Sequence, residues 1–228
     1  TIGHTGVSLI IFSYAYFRSS LSAQYRRLAL SLTFLFGIIL IITAGSRGPM
    51  LSFVVVIMFD VFFNPRIGFL SKLSALILSL SIILVLLIQF SDSLIVERLT
   101  IGLFNDAARM NIFRESIIVL KNNLWLGGGV FTMNTYPHNY ILESFVVSGF
   151  FGGVIFVILN LITIYAALQL YRKSFNILFP LLFVQYFISG LFSGTIHEAF
   201  AFWMVLSIIL FQFAAIKYYP ISSYSRSG

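Results

Sequence analysis

Only one stretch of this chain, Ser91 to Pro137, stays polar over any length; on both sides of it the sequence is apolar run after apolar run. Seven such segments can be marked, at about 2–17, 28–45, 49–63, 73–90, 140–168, 178–193 and 199–216. Runs of this kind approach or exceed the roughly 20 residues that carry a helix across the hydrocarbon core of a bilayer. Helices are expected because lipid offers a backbone N–H or C=O no partner, so each must be satisfied within its own segment. Fourteen basic and seven acidic residues are too few to cover a chain that is 59% hydrophobic, with a mean hydropathy of +1.00. The sequence therefore predicts an all-α integral membrane protein. It would be a polytopic bundle of about seven transmembrane helices forming a single membrane domain over residues 1–228, with an external loop at 91–139 that contains an amphipathic helix.

The chain contains no Cys, which removes both disulfides and thiolate metal sites. It opens Thr-Ile-Gly-His without a starting Met and with its first apolar run under way, so the C-terminal part of a longer membrane protein is expected. The net charge of +7 would suggest nucleic acid in a soluble protein. Here the charges are better explained by topology, and no nucleic-acid partner is expected. One set of loops holds Arg18, Arg26, Arg27, Arg66, Lys72, Arg172, Lys173, Lys217 and Arg226, with only Asp60 nearby. The other set holds the remaining basic residues together with six of the seven acids. By the positive-inside rule the first set is cytoplasmic. The C-terminus then lies inside, and the polar loop with His138 lies outside.

Within that loop, residues 106–121 place apolar side chains at 110, 113, 117 and 120, the spacing of an amphipathic helix lying on the membrane or on the bundle. Arg109 and Arg114 are five residues apart and point about 140° away from each other on such a helix. Arg109 shares its face with Phe113 and Leu120, the side expected to meet the bundle; Arg114 lies nearer the solvent. The helix is expected to end at Asn122-Asn123. Trp125 suits an interfacial position, and Gly127-Gly-Gly129 permits positive φ and close backbone approach. No Gly-Lys-Ser/Thr follows, so this is not a phosphate-binding P-loop.

Pro137 then turns the chain, Asn139 is placed to cap the next helix, and Glu143 falls in its first turn. His138 would sit beside the positive end of that helix, a field that favours a neutral ring able to accept a proton. On residues alone a hydrogen-bonded structural role for His138 is slightly favoured over a functional one. Ser144, Ser148 and Gly152, with Gly149 and Gly153, form a small-residue face suited to close helix packing. Arg47 lies in the turn Thr43-Ala-Gly-Ser-Arg-Gly-Pro-Met50, near a helix N-terminus, where a guanidinium would suit a diphosphate. His197-Glu198, between the last two spans, also faces outward and reads as a structural cap, with contact to substrate as the alternative.

Taken together, Ser46-Arg47-Gly48, Arg109-Met-Asn-Ile-Phe113, Gly127-Gly-Gly129, His138-Asn-Tyr-Ile-Leu142 and Gly149-Phe-Phe-Gly152 resemble the O-antigen polymerase/ligase family, over about residues 30–217. The resemblance implies a metal-independent, inverting glycosyltransferase of the bacterial inner (cytoplasmic) membrane. It would act on undecaprenyl-diphosphate-linked oligosaccharide without a cofactor, within a bundle of roughly a dozen helices. It implies that Arg47 and Arg109, with Arg114 as a further candidate, hold the diphosphate, and that His138 orients or deprotonates the acceptor hydroxyl. Gly127, Gly129 and Asn139 would position the loop. A polymerase that joins repeat units is the expectation; a ligase that joins glycan to lipid A-core shares the motifs. A chain-length regulator and a flippase are candidate partners besides the glycan or lipid acceptor and membrane lipid. A transporter of lipid-linked glycans is the reading from a different class. It would require ionisable residues along a midplane cavity, and the spans offer little beyond Gln89, Asn160, Gln185 and Gln212.

Overall fold

The structure, a computed structural model, describes residues 2–19, 24–44, 47–64, 67–74, 76–77, 107–130, 132–133, 135–173 and 176–218. Helices dominate and no strand occurs among the described residues. In chain order the longer helices are α1 (Ile2–Ser19), α2 (Gln24–Ala44), α3 (Arg47–Phe63), α4 (Ala107–Asn122), α5 (Tyr140–Arg172), α6 (Leu178–Ser193) and α7 (Phe200–Tyr218). Six of them coincide with six of the expected apolar segments, within a few residues at each end. The expected span at 73–90 lies mostly outside the described residues, as does the first part of the polar loop. Two helices, α5 and α7, are long and apolar enough to cross a membrane, as a helical membrane protein requires.

Helix α6 is the hub, packing against α1, α3, α5 and α7, while α2 packs on α1 and α4 packs on α5. Along the α1–α6 seam the buried Gln185 donates from Nε2 to the His4 carbonyl (2.8 Å) and to Ser8 Oγ (3.0 Å). Ser8 Oγ also lies 3.0 Å from the Tyr186 hydroxyl. Polar side chains in an apolar interior are costly unless paired, so this ladder fixes the register of the two helices. The α1–α2 seam is a close backbone approach, where a Cβ on Gly37 would lie 2.7 Å from the Gly6 carbonyl. Asp60 ties three helices at the other end, accepting hydrogen bonds from Tyr14 (2.8 Å) and Tyr171. Between α5, α6 and α7 the core is aromatic: Phe183, Phe187 and Phe202 stack with centroids 5.8–6.5 Å apart.

Helix α5 is broken at Gly149, whose φ of 67° and ψ of −165° are not helical. The cause is the glycine turn after α4. The Phe150 amide donates to the Leu124 carbonyl (2.7 Å) rather than four residues back. The freed carbonyls of Val146 and Val147 accept from Gly128 (2.8 Å) and Gly129 (3.0 Å). Turn and kink thus satisfy each other's backbone groups. The fit is backbone against backbone, and a Cβ on Gly149 would strike the Trp125 carbonyl. Gly149 therefore serves the turn rather than a neighbouring helix, a difference from the expected helix-packing face. The remainder, Phe150 to Arg172, is about 34 Å long at 1.5 Å per residue, enough by itself to cross the hydrocarbon core.

Helix α4 follows the expected face in part: Ile117 and Leu120 are half-buried, but the most buried position lies elsewhere. Ser116 is fully buried, flanked by half-buried Ile112 and Val119, whereas Met110 and Phe113 are exposed. The Ser116 hydroxyl returns to the Ile112 carbonyl (2.7 Å) and lies 3.5 Å from Met133 Sδ, so a small polar residue lets the following loop close over the helix.

Replacing Gly149 by Ala forces a side chain into a glycine-only conformation, a strain of about 1–3 kcal/mol before any clash with Trp125 is counted. Thermal unfolding in detergent is expected to show a large loss for Gly149→Ala. Gly68→Ala, where no heavy atom lies within 4 Å of the added carbon, should leave the midpoint unchanged.

Candidate functional site

The loop that carries His138 is held by the residues around it. Asn139 adopts an extended conformation (φ −145°, ψ 113°), and its Oδ1 accepts from the Leu142 amide at 3.0 Å, the N-cap that the sequence predicts. Its Nδ2 donates to the Leu191 carbonyl (3.0 Å), fastening the cap to the end of α6. The Tyr140 ring fills the space over Gly190 and Gly194, where a Cβ would collide with it, and packs on Phe202 with centroids 5.1 Å apart. Between these anchors His138 is exposed, at a φ of 52°. A non-glycine residue in this left-handed region is uncommon and costs about 1–2 kcal/mol. The strain is sustained by the anchors at 139 and 140 and presents the imidazole outward. No hydrogen bond reaches that ring from the described residues.

One turn further on, Glu143 points inward and is 2% exposed. Its carboxylate is fully engaged: Thr195 Oγ1 donates to Oε1 (2.7 Å) and the Ile196 amide donates to Oε2 (3.0 Å). His197 Nδ1 lies 3.5 Å from the same Oε1 and 2.6 Å from Thr195 Oγ1. The Tyr136 ring packs against the His197 ring with centroids 4.4 Å apart, joining the His138 loop to the α6–α7 turn. Trp203 Nε1 donates to the Ile196 carbonyl (3.0 Å) and pins that turn from α7. A buried carboxylate is tolerable here because two donors replace its water.

Below this cluster a cavity of about 320 Å³ opens between α5 and α7. Glu143, Ser144, Ser148 and His197 lie along it together with Phe156 and Leu159, deeper in the helices. Ser144 and Ser148 return their hydroxyls to carbonyls of their own helix (2.7 and 2.6 Å). The small-residue face read from the sequence thus lines an opening rather than a tight helix contact.

The predicted site residues separate into four groups. Gly127 and Gly129 have φ of 76° and 83° and form the turn that kinks α5, so their positioning role is structural in origin. Asn139 and His138 sit together at the loop-to-helix junction. Arg114 is exposed on α4. The side chains of Arg47 and Arg109 lie outside the described residues, so the expected diphosphate clamp does as well; both positions begin or lie within described helices, α3 and α4.

Sequence reasoning missed Thr195 and Tyr136, gave Glu143 only a helix-end role, and read His197 first as a structural cap, with contact to substrate as the alternative. A signal for Glu143 was present. It stands four residues after the N-cap, on the same helix face as Asn139, and a carboxylate carried inward on an apolar helix needs partners. Nothing comparable marked Thr195, 52 residues away in sequence. No protein-family model matches the chain, and no curated protein matches it either.

Replacing Glu143 by Ala removes an acceptor shared by Thr195 and Ile196, each bond to a charged group being worth about 1.5–3 kcal/mol. The expected outcome is a clear drop in thermal midpoint. The exposed Glu198→Ala change, one residue beyond His197, should leave it within error.

Proposed function

We propose that this chain is a metal-independent glycosyltransferase of the bacterial cytoplasmic membrane. In this reading it transfers a glycan from undecaprenyl diphosphate to a sugar hydroxyl at the outer face, as an O-antigen polymerase does. The observation that carries the proposal is the way His138-Asn-Tyr-Ile-Leu-Glu143 folds. Asn139, Tyr140 and Glu143 are spent on anchoring, and His138 is the polar side chain turned outward, under backbone strain. Strained, exposed, polar side chains on a rigid support are a pattern of functional sites rather than of packing.

The chemistry follows from location. A transferase outside the cytoplasm has no nucleotide-sugar pool and needs a donor that brings its own leaving group, which a lipid diphosphate does. The loss of diphosphate is helped by cationic side chains that neutralise developing charge. Arg47 and Arg109 are proposed for that task, with Arg114 as a further candidate, and His138 faces the acceptor. The transporter reading loses one of its few residues, since Gln185 is fully used in joining α1 to α6.

His138→Ala is expected to abolish polymer in cells while the protein level stays normal; glycan left at one repeat unit identifies a polymerase. Unjoined lipid-linked glycan with lipid A-core left bare would mark a ligase, and undiminished polymer would fit a transporter. Arg109→Lys keeps the charge but loses the bidentate fork, so turnover should fall sharply as well.

A further inference from the structure

Counting protons through the buried cluster gives His197 a defined role. Thr195 has one hydroxyl proton, and the carboxylate of Glu143, which accepts it, has none to give. The 2.6 Å contact between Thr195 Oγ1 and His197 Nδ1 therefore needs its proton from the ring, so Nδ1 is the protonated nitrogen. In a neutral ring, Nε2 is then the nitrogen that carries the free lone pair. It faces away from the relay, 3.7 Å from the exposed Glu198 carboxylate, in a side chain that is 33% exposed. The order carboxylate, hydroxyl, imidazole fixes tautomer and ring orientation as a directly bonded carboxylate does in other acid–base sites. The Tyr136 ring, two residues before His138, also packs against it at a tilt of 46°, and His197 borders the cavity between α5 and α7.

We propose that Glu143 and Thr195 hold His197 as the proton acceptor for the acceptor sugar's hydroxyl, leaving His138 to orient that sugar. This rests on the glycosyl-transfer reading above. In the step, the acceptor oxygen forms a bond to the anomeric carbon of the donor as its hydroxyl proton passes to His197 Nε2. The bond from the anomeric carbon to the phosphate oxygen breaks, and the diphosphate leaves with the electron pair. The proton on Nε2 is released to water or to the departing diphosphate, so no further reactant is needed. A general base in this position contributes about 10²–10⁴-fold. His197 is thus a catalytic residue, and Thr195 and Glu143 are positioning residues.

The test uses membranes containing the full protein and the lipid-linked oligosaccharide extracted from the source cells, followed as glycan transferred against pH. Titratable groups facing His197 among the described residues are Glu143, Glu198 and Tyr136, so Glu198→Gln is run in parallel to separate its titration. His197→Gln is expected to slow transfer about 100-fold or more at unchanged protein level and to flatten the acidic limb of the pH profile. Thr195→Val should lower turnover with little change in KM, and Thr195→Ser should restore it. In ¹⁵N-histidine spectra, wild type should show the Nδ1–H tautomer, and Thr195→Val should lose it. Wild-type transfer with His197→Gln unchanged in rate and pH profile overturns this assignment alone. An Nε2–H tautomer in the wild type does the same. Absence of transfer by the wild type overturns the glycosyl-transfer reading, and the catalytic role of His197 falls with it.

Discussion

The carboxylate of Glu143 is the interaction on which this end of the molecule depends. It is buried, it accepts from a hydroxyl and from a backbone amide, and both donors belong to the turn between α6 and α7. A charge in this place would destabilise the fold if either donor were lost, so the start of α5 and that turn can only be placed together. Asn139 and Tyr140 add neutral attachments to α6 on the same side of the junction. The outcome is a rigid support that carries two exposed imidazoles, at 138 and 197.

The kink at Gly149 complements that junction. By leaving two carbonyls of α5 open to the glycine turn, it separates the short first part of the helix from the long apolar remainder. The first part and its carboxylate can then stand at a membrane surface while the remainder crosses. Gly127, Gly129 and Gly149 each have positive φ, and the fit between backbones at Gly127 and Gly149 leaves no room for a Cβ. This is a geometrical requirement on the chain, independent of any chemistry.

Much of the fold was legible because lipid permits so few solutions: apolar runs near 20 residues became helices close to their expected bounds. Asn139 was legible as a cap because Pro137 and the polar-to-apolar switch both point to a helix start there. The role of Gly149 was not, because small residues four apart describe a helix–helix contact and a kink equally well. The buried side of α4 was partly misjudged for a related reason. Apolar spacing favoured Met110 and Phe113, but the following loop closes over Ser116 and leaves those two exposed. Thr195 and His197 became meaningful only when folding brought them to Glu143, more than fifty residues away.

The account turns on one placement, the Glu143–His197 end of the bundle facing outside the cell. The chain has no Cys, so a single introduced thiol can report it without interference. Leu126, 81% exposed on the glycine turn, is the position to use, with Lys173 at the far end of α5 as its counterpart. In intact cells a membrane-impermeant maleimide should label Leu126→Cys and leave Lys173→Cys untouched until the membrane is opened. The reverse pattern would put the two imidazoles in the cytoplasm and contradict the account.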